Sequence, residues 1–150
     1  TDRLSIGQVA LADRVVQHDM DTSPLGDPVG LISGINLVKI PLDGQMREAF
    51  EDCCEKEGVR HLSGVIASGD QFVDSGEKKS WIRDTVSAIA CEMEGAAIGH
   101  VCYVSGVDFV IIRCISDNAS GEADMEYPEL VGKAAVRSQK LVEAIVKEIG

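Results

Sequence analysis

Extended apolar runs alternate with amphipathic segments along the chain, and this alternation predicts an α/β fold. The predicted strands cover residues 8–17, 59–70, 87–91 and 108–115, and the predicted helices cover residues 43–58, 80–86, 94–104 and 128–149. The charged pair Asp13 and Arg14 interrupts the first apolar run, so we expect a bend in that strand. Glycine and proline are frequent in residues 23–34, which predicts a long irregular loop that serves a site or an interface.

The first helix has the clearest boundaries. Asp43 is a suitable N-cap, Met46, Phe50 and Cys53 fall on one face at spacings of four and three, and Gly58 follows the last turn. This pattern predicts a helix that packs against the sheet.

Composition and charge narrow the classes of function. A chain of 150 residues of which 45% are hydrophobic fits one compact domain. No apolar run approaches the roughly 20 residues that span a bilayer, and the first residues do not resemble a secretion signal. The net charge is −11, and Lys78–Lys79 is the one adjacent basic pair, so we expect neither a membrane nor a nucleic acid as partner.

The cysteines and histidines predict no metal site. The five cysteines are an odd number and lack C-x-x-C spacing, and the three histidines are isolated in the sequence. Reduced cysteines that pack as small core residues are typical of the cell interior. We therefore expect a cytoplasmic protein without a cofactor.

Polar residues follow three of the predicted strands, where ligands of open α/β sheets bind. These segments are residues 68–73, 91–97 and 113–118. Each also has an ordinary structural explanation, since Glu94 can favour a helix dipole, Asp117 can belong to a turn and Phe72 can fill the core. Arg113 is harder to explain in this way, because a guanidinium within an apolar strand needs an anionic partner.

The order of these segments resembles that of the 5′-methylthioadenosine/S-adenosylhomocysteine nucleosidases, which belong to the nucleoside phosphorylase superfamily. The matching strings are Ser68-Gly69-Asp70-x-Phe72, Glu92-Met93-Glu94-Gly95-Ala96-Ala97, Arg113-x-Ile115-Ser116-Asp117 and the early Gln17-His18-Asp19-Met20-Asp21. The resemblance covers essentially the whole chain. It implies a three-layer α/β/α fold with a central mixed sheet, and hydrolysis of an N-glycosidic bond to release adenine and a thioribose in methionine salvage.

The resemblance also implies roles for single residues. Asp117 matches the general acid that protonates the leaving adenine at N7, which requires a raised pKa. Glu94 matches the acceptor for the ribose hydroxyls, and Met93 matches the apolar wall beside the sugar. Phe72 matches the aromatic ring that stacks on adenine, and the backbone of Val73 matches the group that reads the purine edge.

Four further positions follow from the same resemblance. Ser116 could orient the carboxyl group of Asp117, and Arg113 fits a role near the attacking water. Tyr127 falls where the family places an apolar or aromatic residue over the purine and alkylthio region. Leu25 lies where the family extends a residue into the neighbouring subunit, which implies a homodimer.

The chain departs from the family pattern at its start. Thr1 falls near the middle of the family's chain, so residues 1–150 would form the C-terminal portion of a single nucleosidase domain. The glutamate that positions the water and a glycine-rich turn with a serine near the sugar have no counterpart. A fragment, a natural half that needs a complementing chain, and a shortened relative without turnover all fit this departure. We expect the isolated chain to lack normal activity.

Two alternatives to the hydrolase stay open. A phosphorolytic relative would use phosphate where the nucleosidase uses water, and the choice depends largely on the glycine-rich region. A noncatalytic module would keep the purine pocket without turnover. The sequence does not decide which 5′-thio nucleoside is preferred.

Overall fold

A computed structural model describes residues 3–116 and 127–149 of the chain. Five strands and four α-helices lie in these residues. In chain order the elements are β1 (Val9–Gln17), a 3₁₀ turn (Ser23–Leu25), β2 (Ile40–Pro41), α1 (Gly44–Lys56), β3 (His61–Ser68), α2 (Gly76–Val86), β4 (Ala88–Glu92), α3 (Gly95–Ser105), β5 (Ile112–Cys114) and α4 (Tyr127–Ile149).

The strands of the described residues form one mixed sheet, which confirms the predicted α/β class. β1, β3 and β4 are parallel, in the spatial order β1, β3, β4. On the other side of β1, β5 pairs antiparallel with its first half and β2 pairs antiparallel with its second half. The carboxyl ends of the three parallel strands therefore lie at one edge of the sheet.

The predicted bend in β1 is a β-bulge. The register between β1 and β3 shifts between Ala12 and Arg14, so Asp13 is the extra residue. A bulge moves the alternation of side chains by one position. As a result Ala12 and Val15 lie in the same core cluster, three residues apart.

Helices cover both faces of the sheet, which gives the three layers that the resemblance implies. On one face α1 and α4 pack on Val9 and Leu11, and α2 packs on Val65 and Ala67. On the other face α3 packs on β1 and β3, where Ala96 belongs to the buried cluster.

Helix α1 forms where the sequence predicts it. The side chain of Asp43 caps it by accepting a hydrogen bond from Met46 N at 2.8 Å. Phe50, Cys53 and Cys54 are its buried residues.

Burial raises the pKa of the Cys54 thiol to about 11, so this thiol stays protonated and packs as a small apolar group. The expectation of buried cysteines is wrong for Cys91, which is exposed.

Two element boundaries differ from the sequence prediction. Helix α2 begins at Gly76 and not at Ser80, because Ser75 caps it by accepting from Lys78 N at 3.1 Å. The predicted strand 108–115 is much shorter, since only Ile112–Cys114 pair with β1. Phe109 and Ile111 are nevertheless buried, and Ile111 O accepts a hydrogen bond from Ala12 N at 2.9 Å, so the apolar run before β5 still packs in the core beside β1. No helix among the described residues is long and apolar enough to cross a membrane.

Candidate active site

The candidate site lies at the edge where β1, β3 and β4 end. Gln17 is paired with Ser68, and Ser68 is paired with Glu92. The residues that follow these three strands therefore meet at this edge, as the sequence predicts for the segments 68–73 and 91–97.

Glu92 is the most connected side chain of this edge. Its carboxylate accepts hydrogen bonds from Gly95 N at 2.9 and 2.8 Å, from Glu94 N at 3.1 Å and from Arg113 Nε at 2.9 Å. It also accepts from the Ser68 hydroxyl and from Arg113 Nη2. Only 9% of its side chain is exposed, so both carboxylate oxygens are held almost entirely by protein groups.

Ser68 and Glu92 together satisfy the start of α3. The Ser68 hydroxyl accepts from Ala96 N at 2.6 Å, and Glu92 accepts from Gly95 N. The N-cap residue Glu94 makes no side-chain cap hydrogen bond. The first two N–H groups of the helix, those of Gly95 and Ala96, are thus paired with residues from two strand ends and not with Glu94. The Glu94 carboxylate is therefore available for a ligand.

The helix start is packed tightly against Glu92. A Cβ at position 95 would lie 3.0 Å from Glu92 Oε1 and 3.0 Å from Ile111 Cγ2. Any larger residue at position 95 would therefore push Glu92 or Ile111 away by a few tenths of an ångström.

The charges of this cluster are linked through Arg113. Its Nη2 bonds Glu92 and lies 3.7 Å from Glu94 Oε2. Burial by itself raises the pKa of the Glu92 carboxyl, but hydrogen bonds from Ser68, Arg113 and Gly95 outweigh burial and lower that pKa below its ordinary value. Glu92 is therefore the anionic partner that the sequence analysis requires for Arg113.

Arg113 reaches the edge by a route that the sequence analysis did not predict. The sequence predicts Arg113 at the same edge as the carboxyl ends of the other strands. In the structure β5 is antiparallel to β1, and Arg113 pairs with Ala10 near the start of β1. The long side chain, and not the strand end, connects Arg113 to Glu92 and Glu94.

The residues predicted for the purine follow β3. Phe72 is 79% exposed, so most of its ring surface is available for stacking. Val73 is half-buried and packs against the apolar cluster beneath α2, which holds its backbone in place. Met93, between Glu92 and Glu94, is 41% exposed.

The remaining predicted residues are less fully described. Ser116 is half-buried and follows β5 after two residues, and Leu25 lies in the 3₁₀ turn with 82% of its surface exposed. Tyr127 is the first residue of α4, and nothing is described of its side chain. Asp117 lies outside the described residues.

Sequence reasoning gave no roles to Glu92 and Ser68 in the site. The signal was present, because two polar residues end neighbouring parallel strands and a buried arginine lacked an anion. His18 and Asp19 were noted only as part of a motif. In the structure they follow β1 at the same edge, where Asp19 Oδ2 accepts from Asp70 N at 2.7 Å.

The geometry suits an aromatic ligand that carries hydroxyl groups. An exposed aromatic ring and an apolar side chain lie at the same sheet edge as a carboxylate with free acceptor positions. Glu92, Glu94 and Arg113 together carry one net negative charge, which favours positive charge on a bound ligand.

Comparison with known proteins agrees with this arrangement. The profile of the phosphorylase superfamily matches residues 1–149. The aminodeoxyfutalosine nucleosidase of Helicobacter pylori strain J99 is 36% identical over 146 residues, which are 97% of this chain and 63% of that protein. The 5′-methylthioadenosine/S-adenosylhomocysteine nucleosidase of Shewanella halifaxensis is 34% identical over 150 residues, with coverage of 99% and 65%.

A solved structure gives the same result for the fold. The Helicobacter pylori 5′-methylthioadenosine/S-adenosylhomocysteine nucleosidase, as an aspartate-to-asparagine variant with 5′-methylthioadenosine in its active site, superposes with a TM-score of 0.91. It is 35% identical, and the match covers 99% of this chain and 64% of that chain. The resemblance to these nucleosidases and the predicted fold are thus confirmed. The chain spans slightly less than two thirds of the length of these relatives.

Proposed function

Because the chain belongs to the phosphorylase superfamily, we propose that it provides the purine-binding and acid-bearing part of a nucleosidase. The reaction is hydrolysis of the N-glycosidic bond of 5′-methylthioadenosine and S-adenosylhomocysteine, which gives adenine and a thioribose. The observation that carries this proposal is the Glu92–Arg113–Glu94 cluster at the end of β4, beside the loop that bears Phe72.

Glu94 would bind the ribose. Its carboxylate is 66% exposed and makes no cap hydrogen bond, so it can accept hydrogen bonds from two hydroxyl groups. Arg113 lies 3.7 Å away, but its charge is already matched by Glu92. Arg113 can therefore orient Glu94 without cancelling the negative charge of the cluster. That charge stabilises the positive charge that develops on the sugar as the bond breaks.

The loop after β3 would hold the adenine. The exposed ring of Phe72 offers a stacking surface, and the backbone of Val73 is fixed by the packing of its side chain on the core. Met93 would contact the apolar side of the sugar. These groups would hold the adenine and the sugar in place while the bond between them breaks.

Asp117 would donate the proton that adenine needs as it leaves. With adenine protonated at N7, the electrons of the breaking bond move to the adenine ring. Water then adds to the sugar carbon and gives a proton to the solvent, from which the Asp117 carboxylate takes a proton for the next turnover. Ser116 would orient the acid, and Tyr127 would cover the purine and alkylthio region. The Helicobacter pylori enzyme with an aspartate-to-asparagine substitution holds 5′-methylthioadenosine in its active site, and retained substrate binding of this kind is what we propose for Asp117→Asn.

A second copy of the chain is the proposed partner. Leu25 is 82% exposed in a short 3₁₀ turn, which fits the expected reach into a neighbouring subunit. Large apolar side chains on and just after α3 are also exposed, namely Ile98, Val101, Tyr103, Val104 and Val107. Exposed apolar surface of this extent is typical of an interface. From the resemblance we expect a cytoplasmic enzyme of methionine salvage.

A second candidate substrate comes from the comparisons. The Helicobacter pylori relative with 36% identity is an aminodeoxyfutalosine nucleosidase, so that nucleoside is the alternative to the 5′-thio nucleosides. Adenine release from each substrate, measured side by side, would decide between them. An activity that requires inorganic phosphate would instead favour the phosphorolytic alternative.

The test is adenine release from 5′-methylthioadenosine by the protein at its full natural length. Glu94→Gln keeps the size of the side chain and removes its charge, so we expect kcat/KM to fall by about 100-fold or more. The matched control is Glu77→Gln, at an exposed glutamate in the first turn of α2. Unchanged kcat/KM in Glu94→Gln would contradict the proposed role of Glu94.

A further inference from the structure

His18 is a buried histidine at the edge of the candidate site. It follows β1 directly, and none of its surface is exposed. Neither ring nitrogen has a hydrogen-bond partner among the described residues. Most buried polar side chains are hydrogen-bonded. The ring of His18 is an exception, and it contacts its surroundings by packing.

The ring lies directly on the backbone of Gly69. A Cβ at position 69 would be 2.5 Å from His18 Nε2, 2.6 Å from His18 Cε1 and 2.9 Å from Asp19 Cγ. Real Cβ atoms do not approach other atoms so closely, so this contact requires glycine. His18 N also donates to Ser68 O at 2.9 Å, which fixes the ring beside the end of β3.

Asp19 holds the next residue of the same loop. Its Oδ2 accepts a hydrogen bond from Asp70 N at 2.7 Å. Two successive residues after β1 therefore hold two successive residues after β3. Phe72 and Val73 follow after only one more residue, so the start of the segment that would bind adenine is fixed from β1.

The charges around His18 favour a neutral ring. Burial lowers the pKa of His18, Asp19 opposes that change, and Lys78 of α2 adds to it. A neutral ring packs on the Gly69 backbone without the desolvation of a buried charge. The neutral ring of His18 therefore packs against the backbone of Gly69 and restricts the position of the loop that follows β3.

We propose that His18 and Asp19 are positioning residues that hold the loop of residues 69–73 in the conformation that binds adenine. The inference rests on the proposed function, because it assigns the purine to this loop. His18 acts through the shape of its ring on Gly69, and Asp19 acts through the hydrogen bond to Asp70 N. Neither residue touches the reacting bond in this proposal.

The first experiment separates binding from chemistry at Asp19. Asp19→Ala removes the acceptor for Asp70 N, whereas Asp19→Asn keeps one oxygen that can accept. We expect KM for 5′-methylthioadenosine and Kd for adenine to rise about tenfold in Asp19→Ala, with kcat changed less than threefold and partial recovery in Asp19→Asn. The matched control is Asp21→Ala, at an exposed aspartate of the same segment whose carboxylate accepts from Ser23 N.

The second experiment tests the ring contact. Gly69→Ala places a methyl group against His18, so we expect weaker adenine binding. In the double variant Gly69→Ala/His18→Ala the two closest contacts of the methyl group are removed and the contact with Asp19 Cγ at 2.9 Å is kept. We therefore expect the loss caused by Gly69→Ala to be smaller than in the presence of the ring. An equal loss in both backgrounds would overturn the proposed role of the ring. Circular dichroism and thermal melting show whether each variant is folded.

Different results would overturn the roles of His18 and Asp19 and the proposed nucleosidase function. Equal Kd values for Asp19→Ala and Asp21→Ala, in a protein that binds adenine, would overturn the role of Asp19. A wild-type protein that neither binds adenine nor releases it would overturn the proposed function. In that case the NMR shift of the Asp70 amide still decides whether Asp19 holds the loop, since it should move in Asp19→Ala and stay unchanged in Asp21→Ala.

Discussion

Ser68 and Glu92 end neighbouring parallel strands, and the hydroxyl of Ser68 donates a hydrogen bond to the carboxylate of Glu92. The same hydroxyl accepts from Ala96 N, and the same carboxylate accepts from Gly95 N. The start of α3 is therefore fixed to two strands at once. Because Glu94 is the N-cap of this helix, the position of its carboxylate depends on this pair.

Ser68→Ala should destabilise the protein. It removes the donor to Glu92 and leaves the buried Ala96 N–H without its acceptor, which costs about 1–3 kcal/mol. Urea unfolding followed by circular dichroism measures this change. Ser33→Ala, at an exposed serine in the loop between β1 and β2, serves as the control and should change stability by less than about 0.5 kcal/mol. Equal midpoints for the two variants would argue against the proposed support of α3.

The stability of the protein should fall as the pH is lowered through the titration of Glu92. The pKa of this carboxyl is below its ordinary value of 4.5 in the folded state, so the unfolded chain binds its proton at higher pH than the folded protein does. The stabilisation is fully present above the unfolded pKa and is lost as the pH falls through the folded pKa.

The variant Glu92→Gln cannot titrate at this position. Urea midpoints measured from pH 3 to pH 6 should therefore depend less on pH in Glu92→Gln than in the wild type. At neutral pH the variant should be less stable by about 2 kcal/mol, since Arg113 loses its charged partner. Glu77→Gln is the control for loss of a carboxylate, and an identical pH slope in all three proteins would contradict this role of Glu92.

Asp117→Asn should abolish turnover and spare binding. Asparagine cannot donate the proton that adenine requires, so kcat should fall by about 10²–10⁴-fold, while Kd for the substrate stays within about threefold. Stopped assays of adenine release and isothermal titration calorimetry measure the two quantities. The control is Asp108→Asn, at an exposed aspartate before β5. Loss of binding in parallel with turnover would point to a structural role for Asp117.

Leu25→Asp should weaken self-association. A charge in place of an 82% exposed leucine would be desolvated in an apolar interface, so the dimer dissociation constant should rise by about tenfold or more. Analytical ultracentrifugation over a range of concentrations measures it. Pro24→Asp, at the neighbouring exposed residue of the same turn, tests whether any change in the turn has this effect. A monomeric wild-type protein would contradict the proposed dimer.

The local pattern of the sequence was sufficient to predict the position of most helices and strands. Asp43 predicts the start of α1, and the apolar spacing of Met46, Phe50 and Cys53 predicts its packing face, because a cap and a helical period depend only on nearby residues. The charged interruption at Asp13 likewise predicts the irregularity of β1. The early start of α2 was missed, although Ser75 is a suitable cap.

The direction and length of β5 could not be read from the sequence. Residues 108–115 are strongly β-prone, but a strand needs a neighbour with which to pair. The regular ladder with β1 covers only Ile112–Cys114, and it is flanked by isolated backbone hydrogen bonds at Ile111 and Ile115. The antiparallel direction also placed Arg113 away from the edge where it was expected. The contact with Glu92 forms because the long side chain of Arg113 extends from β5 to the end of β4. No local sequence pattern specifies a contact of this kind.

By itself the sequence determined the fold class, the order of the elements and the motifs that resemble the nucleosidases, because these depend on periodicity and on the spacing of residues along the chain. Only the tertiary structure decided which polar residues meet. Ser68 joins Glu92, Arg113 joins Glu92 and Glu94, and Asp19 joins Asp70. The physical reason is that strand register and direction bring together residues that are between 19 (Glu94 and Arg113) and 51 (Asp19 and Asp70) positions apart, and the sheet as a whole sets both.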